Sequence, residues 1–275
     1  MSAILDVDVR SRQRVYWKVR LWDEEDVVSE WSEKAFFEMG LLKQSDFVAK
    51  WINPELECDP QVHKPASYLS TTFVLENQKC ESATLENRRE ARLYITAHGL
   101  YEVFINGKRV GNFVLAPGTF DYGKRIAYQT YDVSELLREG ENGVQVILGD
   151  GWYRSCSGVD GDRNLYGEDV ALYFQLEIDG KPVCLSDESW LASQNGPIRE
   201  NDMQQGEFVD ARLELGYGMP IESELVAEVV NRLTQAHAVK VENFLASVDP
   251  EKCIGCGKCH EVCPVGCIDL ITPKG

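Results

Sequence analysis

Apolar and polar residues alternate along much of this chain with the period of two that places β-strand side chains on opposite faces. From Arg14 to Trp22, Val15, Trp17, Val19 and Leu21 fall on one face, and a second short apolar run follows at 35–39. Two strands are marginal alone, so residues 1–48 read as one part of a domain. A longer series starts at Ala49, with predicted strands at 70–75, 91–97, 101–105, 126–131, 143–148, 170–178 and 182–185. Asn106-Gly107 and Asp179-Gly180 predict tight hairpins, because these dipeptides accept positive φ at both central positions. Ser134 precedes Glu135, Leu136 and Leu137 and predicts a capped helical turn. Short strands at regular spacing predict a mainly β fold, with a jelly-roll-like β-sandwich over 49–215.

The period changes after Leu215. Gly216, Gly218 and Pro220 form a breaker-rich joint. Leu225, Val226, Val229, Val230 and Leu233 then share one helical face, predicting a helix over about 222–237 within a 216–244 linker. A strand-like piece begins at Val239, and residues 245–275 predict a small α+β tail.

That tail carries the most specific chemistry. Cys253, Cys256, Cys259 and Cys263, followed by Pro264, spell C-x2-C-x2-C-x3-C-P, the spacing that wraps a [4Fe–4S] cluster in soft thiolates. Gly255 and Gly257 suit the tight loop. The run resembles half of a bacterial-type ferredoxin, in which the fourth Cys of each run ligates the other cluster. Cys253, Cys256 and Cys259 are therefore ligands to one cluster. The fourth ligand is open between Cys263, Cys267 and a thiolate from another chain. A redox partner protein would follow from such a cluster.

Composition narrows the remaining classes. The chain has 275 residues and a formal net charge of −17, spread along its length. That sign argues against nucleic acid, which needs Lys/Arg patches. No apolar run reaches a membrane-spanning length, and the first residues lack the apolar core of a secretory signal. Of the nine Cys, Cys58, Cys80, Cys156 and Cys184 are scattered and read as small buried hydrophobes. A reducing, cytoplasmic setting is expected. Trp17, Trp22, Trp31 and Trp51 read as packing residues. His63, His98 and His237 are isolated and suggest no role.

A family resemblance covers about 14–215. It is carried by Tyr16–Asp23, Ser29–Ser32, Phe37–Leu42, Ala49–Ile52, Gly99–Gly111, Leu115–Gly118, Tyr128–Val133, Gly149–Arg154, Asn164–Gly167, Asp187–Trp190, Gly196–Glu200 and Asp210–Arg212. In this order the stretches resemble the N-terminal accessory region of bacterial α-L-rhamnosidases. The resemblance implies the end of a fibronectin-III-like domain, then a β-sandwich that precedes an (α/α)6 catalytic barrel. Glycoside hydrolysis needs two carboxyls across the scissile bond, and no acidic residue here matches the family's pair. The resemblance therefore implies a non-catalytic region that binds rhamnose-containing glycans, sometimes with Ca²⁺. The alternative is an electron-transfer module with the sandwich as docking domain. Two loops supply candidate groups: 120–125, with Asp121, and 150–164, with Asp150, Trp152, Tyr153, Asp160, Asp162 and Asn164. Carboxylates and amides suit Ca²⁺ or sugar hydroxyls. The same residues equally fit turn formers and core aromatics.

Overall fold

The computed structural model describes residues 8–54, 64–76, 90–157 and 161–213, and the backbone of 237–238 and 240–242. The predicted 222–237 helix and the whole Cys253–Cys267 run lie outside these residues, apart from the backbone of His237. Described residues up to Val48 belong to one compact unit and those from Ala49 to a second.

In the first unit β1 (Arg14–Trp17) pairs antiparallel with β2 (Ala35–Glu38), Arg14 opposite Glu38 and Trp17 opposite Ala35. Arg14 Nη2 meets Glu38 Oε2 at 2.7 Å. Beyond β1 the pairing continues with backbone and side chain together: the Ser32 and Ser29 N–H groups donate to the Val19 and Leu21 carbonyls at 2.8 Å, and their hydroxyls accept the Val19 and Leu21 N–H groups at 3.0 Å. Serine oxygen here takes the place of a strand carbonyl. Three of the tryptophans expected to pack are exposed instead, Trp17 at 43 %, Trp22 at 56 % and Trp31 at 54 %. Arg20 explains two of them, because its guanidinium carbon lies 4.9 Å from the Trp22 ring centroid and 4.7 Å from that of Trp31. The rings hold a cation between their faces and not an apolar core.

The second unit is the predicted sandwich. Its strands are β3 (Trp51–Asn53), β4 (Ser67–Leu75), β5 (Ala91–His98), β6 (Leu100–Ile105), β7 (Lys108–Arg109), β8 (Gln129–Asp132), β9 (Gly140–Gly149), β10 (Ala171–Ile178), β11 (Lys181–Leu185), β12 (Leu191–Ser193), β13 (Ile198–Asp202), β14 (Gly206–Val209), β15 (His237–Ala238) and β16 (Lys240–Glu242). One sheet runs β16-β3-β10-β5-β8, with β11 also paired to β10; the other runs β15-β12-β4-β9-β6-β7. All these pairings are antiparallel. β13 and β14 form a separate hairpin. Two short backbone segments beyond residue 215 thus add edge strands to both sheets.

The core follows the period of two. Leu93, Ile95 and Ala97 of β5, Val103 and Ile105 of β6, Val144, Val146 and Leu148 of β9, and Leu172, Phe174 and Leu176 of β10 form one apolar cluster. Trp190 closes it, stacked edge-on to Phe174 at 5.2 Å with its indole N–H on the Leu185 carbonyl. Both predicted hairpins form, with φ of 51° and 75° at Asn106-Gly107 and 50° and 72° at Asp179-Gly180. Positive φ at both positions matches the right-handed twist of the flanking strands. Ser134 does not cap a helix. Its hydroxyl donates to Asp132 and accepts the Ala91 N–H, so a turn is tied to the edge of β5 instead. Cys156 and Cys184 are buried free thiols, as expected for small hydrophobes. Among the described residues no helix is long and apolar enough to span a membrane.

Asn142 secures the neighbouring turn. It is fully buried, accepts from Arg138 N–H and Asn106 Nδ2, and donates to the Arg138 and Gly140 carbonyls. Replacing Asn142 with Ala strands these partners, and urea unfolding is expected to register a loss of about 1–3 kcal/mol. An unchanged midpoint would show that the turn holds without it.

Candidate functional site

The two loops singled out in the sequence meet at one end of the sandwich, through aromatic rings. Tyr122, from the 120–125 loop, lies 5.2 Å from Tyr153 and 5.1 Å from Tyr166. Phe120 stands edge-on to Tyr122 at 6.1 Å. Tyr153 lies on a one-turn helix, α1 (Gly151–Arg154), directly after β9. The end of β5 brings His98 under it, stacked at 4.6 Å and 14°, and Trp51 of β3 covers His98 at 4.6 Å. Gly167 is required where the return loop passes: a Cβ there would sit 2.4 Å from the Tyr153 hydroxyl. Tyr122, Tyr153 and His98 are buried, whereas Phe120, Trp51, Trp152 and Tyr166 keep part of their surface open.

Below the rings lies a buried charge network. The Asp150 carboxylate, fully buried, accepts Arg154 Nε at 2.6 Å and Arg163 Nη2 at 2.9 Å. Arg163 Nη1 bridges on to Asp202 Oδ2 at 2.7 Å. Asp202 also accepts the N–H groups of Cys156, Gln204 and Gln205. Asn201 links the same region to the start of β4, accepting the Asp150 N–H and donating to the Lys64 carbonyl. Burial raises the Asp150 carboxyl above its ordinary value, against the pull of Arg154, Arg163 and Lys64. Asp202 is also desolvated, but its backbone hydrogen bonds and Arg163 prevail and hold it below the usual carboxylate range.

The candidate residues therefore separate. Asp150 faces two guanidiniums inside the fold, so its oxygens serve the loop's own structure. Tyr153 belongs to the aromatic cluster, and Trp152 beside it is partly open. Asp121 is exposed and paired with Lys124 at 2.7 Å, which lowers its carboxyl below the ordinary value. Asn164 adopts φ +61° and donates its N–H to the Arg154 carbonyl. Asp162 forms an isolated bridge with Ser157, and Asp160 lies outside the described residues. Among the described residues no three His, Cys, Asp or Glu side chains gather in one place. His98 and Tyr166 had no claim in the sequence. The pattern of Tyr153 with Tyr166 thirteen positions on becomes visible only once the loop folds back.

Two outcomes follow from this geometry. Burial depresses His98 to about 4 from its ordinary 6.5. The unfolded chain therefore binds the extra proton first as pH falls. The neutral imidazole's contribution is complete above 6.5 and is lost between 6.5 and 4, up to about 3 kcal/mol. His98→Phe should retain more stability than the parent at pH 4.5 relative to pH 7 in paired urea titrations; parallel curves would refute this. Arg163→Met leaves Asp150 and Asp202 buried with less compensation, an expected loss of about 3–5 kcal/mol by chemical denaturation.

Comparison with known proteins matches three family descriptions. "Alpha-L-rhamnosidase N-terminal domain" matches residues 86–242, "Rha78A-like, N-terminal immunoglobulin domain" matches 4–43, and "4Fe-4S binding domain" matches 246–269. An α-L-rhamnosidase of Formosa agariphila is 40 % identical over 219 residues, covering 74 % of this chain and 22 % of that protein. One from an Alteromonas species is 36 % identical over 219 residues, covering 77 % and 23 %. The crystal structure of the Aspergillus terreus α-L-rhamnosidase superposes with a TM-score of 0.73 at 32 % identity, covering 86 % of this chain and 26 % of that one. The chain thus spans about a quarter or less of the length of the curated relatives it matches. With more than half of its residues in the first match, the chain belongs to the α-L-rhamnosidase N-terminal domain family.

Proposed function

We propose that the sandwich is a non-catalytic accessory region that holds rhamnose-containing glycans against its aromatic end. The observation that carries this reading is the convergence of Phe120, Tyr122, Tyr153 and Tyr166 from two separate loops. Sugar C–H faces stack on such rings, while phenol and amide groups at the edge meet the hydroxyls. Tyr166 and Trp152, both partly open, are the contact residues, with Asp121 and Asn164 at the rim. Asp150 and Tyr153 support the site from beneath. A carboxyl pair for hydrolysis is not part of this reading.

Calorimetry with L-rhamnose and a rhamnose-containing oligosaccharide tests it. The expected result is weak, saturable binding that falls about 5–10-fold in Tyr166→Ala, in line with the loss of one aromatic contact. No heat with either sugar, with or without added Ca²⁺, would overturn the proposal. The Ca²⁺ arm also tests whether a cation joins the site.

The cysteine run supports a second activity. Four thiolates at C-x2-C-x2-C-x3-C spacing, within the 246–269 match, form a donor set of the right softness for a [4Fe–4S] cluster. In this reading Cys253, Cys256 and Cys259 hold the cluster, Cys263 or Cys267 completes it, and electrons pass to a redox partner protein. An anaerobic preparation should be brown and bleach with dithionite, with absorbance near about 400 nm from thiolate-to-iron charge transfer. A colourless protein after iron–sulfide reconstitution would sink it.

A further inference from the structure

Among the described residues, charges and donors beneath the aromatic end do not balance. Lys64, Arg154 and Arg163 supply three positive charges, and Asp150 and Asp202 supply two negative ones. Lys64 is 1 % exposed and Arg154 3 %, so water does not screen the surplus. The Lys64 ammonium has three N–H groups, yet its hydrogen bond here is to one acceptor, the Glu168 carbonyl at 3.2 Å. Arg154 Nη1 donates to that same oxygen, also at 3.2 Å. Two buried cations thus converge on one neutral carbonyl. Arg154 Nη2 has no hydrogen-bond acceptor among the described residues. Arg154 has the Asp150 carboxylate as its counter-charge, but Lys64 makes no ion pair among the described residues; a buried cation without one is costly, and two cations sharing an acceptor also repel each other.

We infer that this place binds a small monovalent anion of halide size, held between Lys64 Nζ and Arg154 Nη2. One such charge neutralises the surplus and gives the unused donors a shared acceptor. Burial selects the class: both side chains are closed to solvent, which excludes a carboxylated or sulfated glycan and leaves a small ion that a local opening of the loops admits. The anion joins Lys64, ahead of β4, to α1 and to the 161–168 loop, the segments that also carry Tyr153 and Tyr166. Because it binds the folded chain and not the unfolded one, it stabilises by mass action.

Thermal unfolding of the full chain in sodium chloride and in sodium glutamate, at equal ionic strength, reads this directly. The expected result is a saturable rise in Tm of about 2–4 °C with chloride and none with glutamate. Lys64→Met should abolish the chloride dependence. Crystals of the unaltered protein soaked in bromide should show an anomalous peak touching both nitrogens, which keeps the question decidable if Lys64→Met does not fold. Equal Tm in the two salts, or bromide absent from this position, would overturn the inference.

Discussion

The aromatic end of this sandwich depends on the salt bridges that Arg163 makes to Asp150 and Asp202. Asp150 follows β9, Arg163 lies in the loop before β10, and Asp202 ends β13. A guanidinium with two carboxylates at 2.7–2.9 Å fixes three chain segments in one geometry. Such pairs do not necessarily add net stability, since desolvation offsets their Coulombic gain. What they supply here is position. The loop between Arg163 and Gly167 returns across α1 with its start anchored by these bridges and its backbone tied by the Asn164 and Tyr166 N–H groups to the Arg154 and Tyr153 carbonyls, and that return lays Tyr166 against Tyr122 and Tyr153.

The aromatic layer and the charged layer divide the work. Above, the His98 ring lies 4.6 Å from both Trp51 and Tyr153, and burial lowers the imidazole's proton affinity. Below, charges satisfy backbone groups that irregular loops leave unpaired, as Asp202 does for three successive N–H donors. Loops held by a rigid scaffold are where binding residues concentrate in many folds. In the first unit the same residue types act differently. There Arg20 sits between Trp22 and Trp31 at the surface, so the cation is shared with rings and not with carboxylates.

Much of the fold was legible in the sequence. β5, β6, β9, β10 and β11 fall within a few residues of the predicted runs, and both hairpin dipeptides adopt the positive φ that chose them. β12, β13 and β14 were not legible, since each is too short to show a period and β14 is exposed throughout. Trp22 and Trp31 misled because an apolar pattern cannot distinguish a buried ring from one stacked on a guanidinium. The candidate site was legible as two loops and as a set of residue types, but the roles within it were not. Asp150 looked like a ligand to a cation or sugar, and its oxygens face Arg154 and Arg163.

The sequence by itself determined the strand faces, the two tight turns, and the thiolate spacing of the Cys253–Cys263 run, because each is a local property of neighbouring residues. Tertiary structure alone decided which loops meet and which carboxylates face inward. Asp150 reaches Asn201, and Arg163 reaches Asp202, across long stretches of chain. Those contacts depend on how two sheets stack, and no periodicity within either loop encodes them. His98 illustrates the point most simply: an isolated histidine in the sequence becomes the floor of an aromatic cluster once β5 ends beneath α1.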